Sequence, residues 1–283
     1  MTRSSFVAAC VQTNSGSDIA PNLETVSGLI RDARKRGADF VLLPENVAMM
    51  ESVRKEILRK AMPEATHPAL PHFCDLAKEI GVWMLIGSLA IKINESQVAN
   101  RSFLLDAKGN VVARYDKIHM FDVDLEGGES YQESKIYRAG ERAVLAGTPW
   151  GLVGLTVCYD LRFPHLYRTL ARAGACYLTV PSAFTRTTGK AHWHTLIRAR
   201  AIETGSYLFA PAQCGTHAGG RETYGHSLIV DPWGEVLADG GDEVGVVLAE
   251  IDSNKVDTAR RRLPSLHSDR PFALASPPEP SET

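Results

Sequence analysis

Apolar residues along this chain follow two rhythms. Short, nearly unbroken runs have the length and β-rich makeup of buried strands: "SFVAACVQT" (5–13), "ADFVLLP" (38–44), "VWMLIGSLAI" (82–91) and "ACYLTVPSAF" (175–184). Between them the spacing stretches to the helical one. In "NLETVSGLIRDARKRG" (22–37), Leu23, Val26, Leu29 and Ile30 fall on one face, and Gly37 stops the helix. Further helices are expected at 68–80, 162–174 and 190–204. Pro164 belongs to a first helical turn, where its missing N–H has no partner to lose. "RSFLLDAKGNVVARYDK" (101–117) and "RAVLAGTPWGLVGLTV" (142–157) read as hairpins by their turn chemistry. Strands near 206–213, 225–231 and 244–251 complete the set.

One unit occurs twice. "ARKRGADFVLLPE" (33–45) and "ARAGACYLTVPS" (171–182) share a helix end, Gly-Ala, an apolar strand and a proline, with Pro44 matching Pro181. Two similar α–β units in one chain predict a pseudo-symmetric layered fold. Strands alternating with helices, together with hairpins, give an α/β class with mixed sheets. No linker divides the chain, so residues 1–272 are expected to form one domain. The end, 273–283, contains "SPPEPSET", too rich in Pro and Ser to pack.

Composition narrows the function classes. A chain of 283 residues, 44% apolar, can bury a large core. A net charge of −2 leaves no electrostatic footprint for nucleic acid or an anionic membrane. The run Arg260-Arg261-Arg262 is expected to be solvated or to lie between subunits. Five scattered cysteines show no disulfide framework and no CxxC spacing. The start, "MTRSSFVAACVQTNSG", has too short an apolar stretch for a signal peptide, and no run approaches the ~18 apolar residues of a membrane span. The expectation is a cytoplasmic protein.

Four residues could carry chemistry. Cys158 in "VCYDLRFP" (157–164) follows an apolar strand and precedes a helix, the placement that exposes a nucleophile at a strand's C-terminal end. A helix N-terminus also favours thiolate. Alone, though, this residue fits a small buried hydrophobe as well. Glu45 follows Pro44 at another strand end, where open α/β sheets build sites, but acids after strands are commonly solvated. Lys117 in "YDKIHMFD" and Glu133 in "SYQESKIY" are unremarkable singly.

Together these residues resemble the Glu-Lys-Cys set of the nitrilase superfamily of carbon–nitrogen hydrolases. The match lies in "VLLPEN" with Glu45, "YDKIHMFD" with Lys117 and "VCYDLRFP" with Cys158, and runs from about residue 5 to about 272. The resemblance places the family's supporting glutamate at Glu133. It implies a four-layer α-β-β-α sandwich, a homodimer or homotetramer with "RRRLPSLHSDRPF" at a subunit contact, and no cofactor. Within the superfamily, "TGKAHWHTLIRARAIETGSYLFAPAQCGTH" and "YGHSLIVDPWGEVLAD" are similar to the Nit branch, nearer its members acting on deaminated glutathione than to ω-amidases. True nitrilases usually show Cys-Trp-Glu at the nucleophile, and this chain has Cys-Tyr-Asp. His165 stands where the branch typically has glutamate.

Amide hydrolysis needs a nucleophile, a base and donors for the developing oxyanion. Cys158 would attack the carbonyl, Glu45 would move the proton to departing ammonia and then activate water, and Lys117 with the Tyr159 N–H would hold the oxyanion. One such donor is worth about 3–4 kcal/mol. An ammonium at ~4 Å, at an effective dielectric of ~20, would favour thiolate by ~4 kcal/mol, and two carboxylates oppose it by a similar amount. The resting sulfur is therefore expected to be a thiol.

Around this set, Arg162 is a candidate clamp for a substrate carboxylate, with a plain ion pair to Asp160 as its alternative. Phe184 and Thr188, expected in the loop after strand 176–181, could line the same pocket or simply serve core and loop. His192 and His194 are two apart and face different ways on a helix, and neither HExxH nor an acidic calcium loop occurs, so no metal is implied. The expected partner is a small amide bearing a carboxylate. Competing readings are hydrolysis of α-ketoglutaramate or an N-carbamoyl amide, nitrile hydrolysis, and a non-catalytic binding module.

Overall fold

A computed structural model describes residues 4–124 and 130–275. The first half of the chain forms β1 (Ser5–Gln12), α1 (Ile19–Lys35), β2 (Phe40–Leu42), α2 (Arg54–Lys60), α3 (Ala69–Ile80), β3 (Trp83–Lys92), β4 (Val98–Leu105) and β5 (Val111–Asp116). A small hairpin, β6 (Asp122–Asp124) and β7 (Ser130–Gln132), follows. The second half supplies β8 (Val144–Thr148), β9 (Gly151–Leu155), α4 (Pro164–Arg172), β10 (Ala175–Thr179), α5 (Arg186–Thr204) and β11 (Tyr207–Ala210). Then come β12 (Cys214–Thr216), β13 (Glu222–Tyr224), β14 (Leu228–Val230), β15 (Val236–Asp239), β16 (Gly245–Asp252) and α6 (Asn254–Arg262).

Two six-stranded sheets result, ordered β16-β1-β2-β3-β4-β5 and β15-β14-β11-β10-β9-β8. Each has three parallel strands at its centre, β1-β2-β3 in one and β9-β10-β11 in the other, flanked by antiparallel neighbours. The sequence echo therefore marks matching positions: β2 and β10 are the middle members of these two parallel trios.

Alternation along the strands makes the layers. In β1, Ala9 and Val11 face a core shared with α1 and α3, while Phe6, Ala8 and Cys10 face the second sheet. Leu42, Leu85 and Leu104 point the same inward way, against Val41, Met84 and Phe103 on the helix side. Aromatic rings fill the space between the sheets; Phe6 stacks on Trp150 at 4.3 Å, and Phe40 meets Phe209 edge-on at 6.1 Å. α4 and α5 cover the far side through Leu166, Leu170, Trp193 and Ile197. The order of layers is helix, sheet, sheet, helix.

Several boundaries differ from the sequence reading. α5 begins at Arg186 rather than near 190, because Thr185 caps it, accepting from the Thr188 N–H. Thr188 thus lies in a first helical turn and not in a loop. Arg260 is half-buried: its guanidinium donates to the Ala175 carbonyl at 2.5 Å and the Ser206 hydroxyl at 2.9 Å, fastening α6 to the second sheet. Only Arg261 and Arg262 of that run are exposed. Ala273–Ala275 carry no regular element, and the rest of the expected tail lies outside the described residues.

Candidate active site

Four strand ends converge above the sheets. Glu45 follows β2, Lys117 follows β5, Cys158 follows β9, and the Pro181–Ala183 segment follows β10. Each side chain leaves its sheet at a C-terminal end, where backbone turns free it to point along the strand axis.

The glutamate's position depends on an absent side chain. A Cβ on Gly87 would lie 2.0 Å from the Leu43 carbonyl oxygen and 2.3 Å from that of Pro44. Only glycine lets β3 pass this close under the turn, and the β3–β4 register shifts at that place. Beyond the turn, the Glu45 carboxylate accepts from the Ala183 N–H at 2.8 Å and the Asn100 amide at 2.8 Å. The two echoed units thus meet directly, the end of one hydrogen-bonded to the end of the other.

Lys117 is 2% exposed, and its ammonium is surrounded by acids. It donates to Glu45 Oε1 at 3.2 Å and to the two Glu133 oxygens at 3.0 and 2.7 Å. Asn100 Nδ2 bridges Glu45 and Glu133, at 2.8 and 3.2 Å, and the Phe121 N–H holds Glu133 at 2.7 Å. Burial would push the lysine down, yet Glu133 and Glu45 together raise it well above its ordinary range. It is a fixed cation.

Cys158 adopts φ of +49°, unusual for any residue but glycine, so its thiol is held out on a sharp turn. Its N–H donates to the Pro181 carbonyl at 2.9 Å, and its sulfur lies beside the Glu45 carboxylate, near enough for each to act on the other's proton affinity. Burial first, and the Glu45 charge second, push the thiol up, against a weaker pull from Lys117. For Glu45, burial acts upward, but Lys117, the thiol, Arg221 and Asn100 hold it below the usual carboxylate range. The resting site therefore holds a thiol, a carboxylate and an ammonium.

These groups form the floor of a cavity of about 350 Å³. Tyr159, Phe184 and Thr188 line it, and Phe184 backs onto Trp193 at 4.9 Å. Arg162 is not among the lining residues. Its guanidinium lies behind the wall, 5.4 Å from the Phe184 ring and 5.9 Å from the Tyr159 ring, with His192 at 3.3 Å. The arginines that face the cavity are Arg54 and Arg221. Arg221 donates to the Ala183 carbonyl at 2.7 Å, sits 5.0 Å from the Tyr131 ring, and has no hydrogen-bond partner for its buried Nε among the described residues.

Asp160 does not pair with Arg162 either. Fully buried, it accepts from the Val157 N–H at 2.8 Å, the Tyr115 hydroxyl at 2.6 Å and the His119 N–H at 3.1 Å, with the His119 ring at 2.7 Å. His165 is exposed and away from the lining, edge-on to the His119 and Phe163 rings. Asn100, Asp160, Gly87 and Arg221 are the site residues that sequence reasoning missed. Only Asp160 carried a signal, its place inside the nucleophile motif; the other three are distant in sequence from any motif residue.

A buried carboxylate–ammonium–thiol set at the mouth of paired α/β sheets is an arrangement that suits hydrolytic chemistry at a carbonyl. A family model for carbon–nitrogen hydrolases matches residues 7–261, and the chain belongs to that family. It is 40% identical over 266 residues to a Synechocystis protein named deaminated glutathione amidase, covering 92% of this chain and 97% of that one. The human protein of the same name is 41% identical over 271 residues, covering 94% and 82%. The crystal structure of the C. elegans NitFhit protein superposes with a TM-score of 0.89 at 36% identity; it covers 95% of this chain, which spans 66% of that longer one.

Proposed function

We propose that this chain is an amidase that cleaves deaminated glutathione, with Cys158, Glu45, Lys117 and Glu133 as its working residues. The observation that carries the reading is the meeting of Lys117 with Glu45 and of Glu45 with Cys158 on one cavity floor. As the substrate carbonyl arrives, Glu45 takes the thiol proton and Cys158 Sγ bonds to the carbonyl carbon. The oxygen becomes an oxyanion, held by the Lys117 ammonium and the Tyr159 N–H. Glu45 then returns the proton to the leaving nitrogen, the C–N bond breaks and a thioester remains. Water, deprotonated by Glu45, cleaves the thioester and restores the thiol. Glu133 keeps Lys117 charged and in place.

Deaminated glutathione is a peptide whose amides are secondary, so the departing group is an amine; a primary amide would release ammonia. Its carboxylates suit a cavity walled by Arg54 and Arg221. Residues 1–272 act as one catalytic unit, and the copies self-associate as a homodimer or homotetramer, for which the bare Phe272 and Leu274 supply apolar surface. A reducing, cytoplasmic setting keeps the catalytic sulfur competent. No helix among the described residues is long and apolar enough to cross a membrane.

The test offers deaminated glutathione, α-ketoglutaramate and a simple nitrile side by side, following released amine, ammonia and carboxylate. The expected order puts deaminated glutathione first, with Cys158→Ala inactive on all three. A marked preference for the nitrile, or turnover that survives Cys158→Ala, overturns the proposal.

A further inference from the structure

Away from the cavity, the outer face of α5 carries a second convergence. His194 of α5, His226 between β13 and β14, and Asp239 at the end of β15 bring two ring nitrogens and a carboxylate within 4.8 Å of one another. His194 Nε2 lies 3.0 Å from Asp239 Oδ2, and His226 Nδ1 lies 2.8 Å from Asp239 Oδ1. We infer that these three side chains form a binding site for a divalent transition metal of the zinc class.

The donor chemistry favours such an ion. Two imidazoles and one carboxylate are a common protein ligand set for zinc, leaving one position for water. Bonds of ~2.0–2.1 Å in tetrahedral array place ligand atoms about 3.3 Å apart, and the two nitrogen–carboxylate spacings, 3.0 and 2.8 Å, lie near that value. The other nitrogen of His226 faces Asp242 at 3.4 Å, the outer carboxylate that typically orients a ligating imidazole.

The rings are also held ready. His226 has φ of +52°, its carbonyl accepts from Trp193 Nε1 at 2.8 Å, and its ring stacks on Tyr224 at 4.5 Å. Charge points the same way. Among the described residues, neither Asp239 nor Asp242 forms an ion pair with a lysine or arginine; their ion-pair partners are the two histidines, and Asp239 also accepts from the Gly241 N–H at 2.9 Å. Because imidazoles ligate a metal in their neutral form, a dication there would meet two carboxylates that no lysine or arginine neutralises. The ligands come from three elements, so an ion would clip the helix behind Trp193 and Phe184 to the edge of the second sheet.

Zinc titration by calorimetry, with Cys158→Ser as the parent to remove the catalytic thiol, tests the site. One equivalent is expected to bind, with loss of that binding in His226→Ala and in Asp239→Asn. Asp242→Asn is expected to weaken it about tenfold to a hundredfold, and His192→Ala, on the same helix, to leave it unchanged. Zinc at a hundredfold excess over its Kd should raise Tm by about 3 °C or more in the parent alone. His194→Gln, a surface change on α5, guards against misfolding of the other variants and should also abolish binding. Absence of a one-to-one site in the parent, or undiminished affinity in His194→Gln and Asp239→Asn, overturns the inference. Both readouts are independent of amidase activity.

Discussion

Asp160 and Tyr115 share a buried hydrogen bond of 2.6 Å that ties the turn holding Cys158 to the strand leading to Lys117. The same carboxylate takes the His119 N–H and the Val157 N–H, so one acid fixes the spacing between sulfur and ammonium without facing the cavity. Asp160→Asn keeps the shape but replaces one acceptor oxygen with a donor, facing groups that are themselves donors. The expected result is a loss of about 3 kcal/mol in stability, with kcat falling more than KM rises. Urea unfolding together with steady-state kinetics checks both. Stability within about 0.5 kcal/mol of wild type would remove Asp160 from this role.

The resting thiol makes a second prediction. Because burial and Glu45 both raise the sulfur's pKa, thiolate should be scarce at neutral pH. Alkylation by iodoacetamide is expected to be slow at pH 7 and to climb with pH beyond the ordinary thiol range. A fast plateau reaching below neutrality would show a preformed thiolate instead. Glu45→Gln, which cannot accept the proton, should lower kcat/KM by about 10²–10⁴.

Arg221, not Arg162, is expected to govern affinity for a carboxylate. Only the former faces the cavity, and a charged hydrogen bond is worth about 1.5–3 kcal/mol. Arg221→Met should therefore raise KM for an anionic amide about tenfold or more. Arg162→Met, which removes a guanidinium from behind two aromatic rings, should change KM by less than about threefold. The reverse ranking in measured KM values would place the clamp at Arg162 after all.

Gly87→Ala tests how Glu45 is placed. The added methyl would overlap the Leu43 and Pro44 carbonyls, so either β3 or the turn bearing Glu45 must move. Overpacking of this kind costs about 1–3 kcal/mol, and a shift of ~1 Å in a catalytic group can cost about 10² in rate. Thermal unfolding and kcat are both expected to fall, whereas Gly28→Ala in the middle of α1, where no atom crowds the new methyl, should leave kcat unchanged and raise stability by about 0.5–1 kcal/mol.

How legible this architecture is in the sequence varies with the range of the interactions involved. β1, β2, β3 and β10 are apparent because each is a short apolar run whose alternate residues face different cores. The pairing of their sheets follows from the Gly-Ala-strand-Pro echo. α2 and the β12–β13 hairpin escape because they are short, and α2 buries only Ile57. The Glu-Lys-Cys residues stand in local motifs, so resemblance finds them. Their supports do not: Asn100 reaches Glu45 across 55 positions, and Asp160 reaches Tyr115 across 45. The same distance hides the histidine pair on the outer face. His192 and His194 are close in sequence, but the structure turns the first toward Arg162 and the second toward His226.

His67 gives the fold a measurable pH dependence separate from catalysis. It is buried just before α3, where its Nδ1 accepts from the Ala69 N–H at 3.3 Å, and burial lowers its pKa from 6.5 to about 4. The unfolded chain therefore binds a proton in a window where the folded chain refuses it. Stability from this group is present above pH 6.5 and is lost as pH falls toward 4. Between pH 7 and 4.5 the loss is about 2 kcal/mol. Carboxylates with lowered pKa values, Glu45 and Glu64 among them, weaken the fold in the same acidic direction, so the total change alone does not isolate the histidine. His67→Asn keeps an acceptor for the Ala69 N–H and cannot titrate. Urea unfolding at the two pH values should show wild type losing about 2 kcal/mol more than this variant. Equal losses would mean that His67 is protonated in the folded protein with no penalty, and that its surroundings are more polar than the packing around α3 implies.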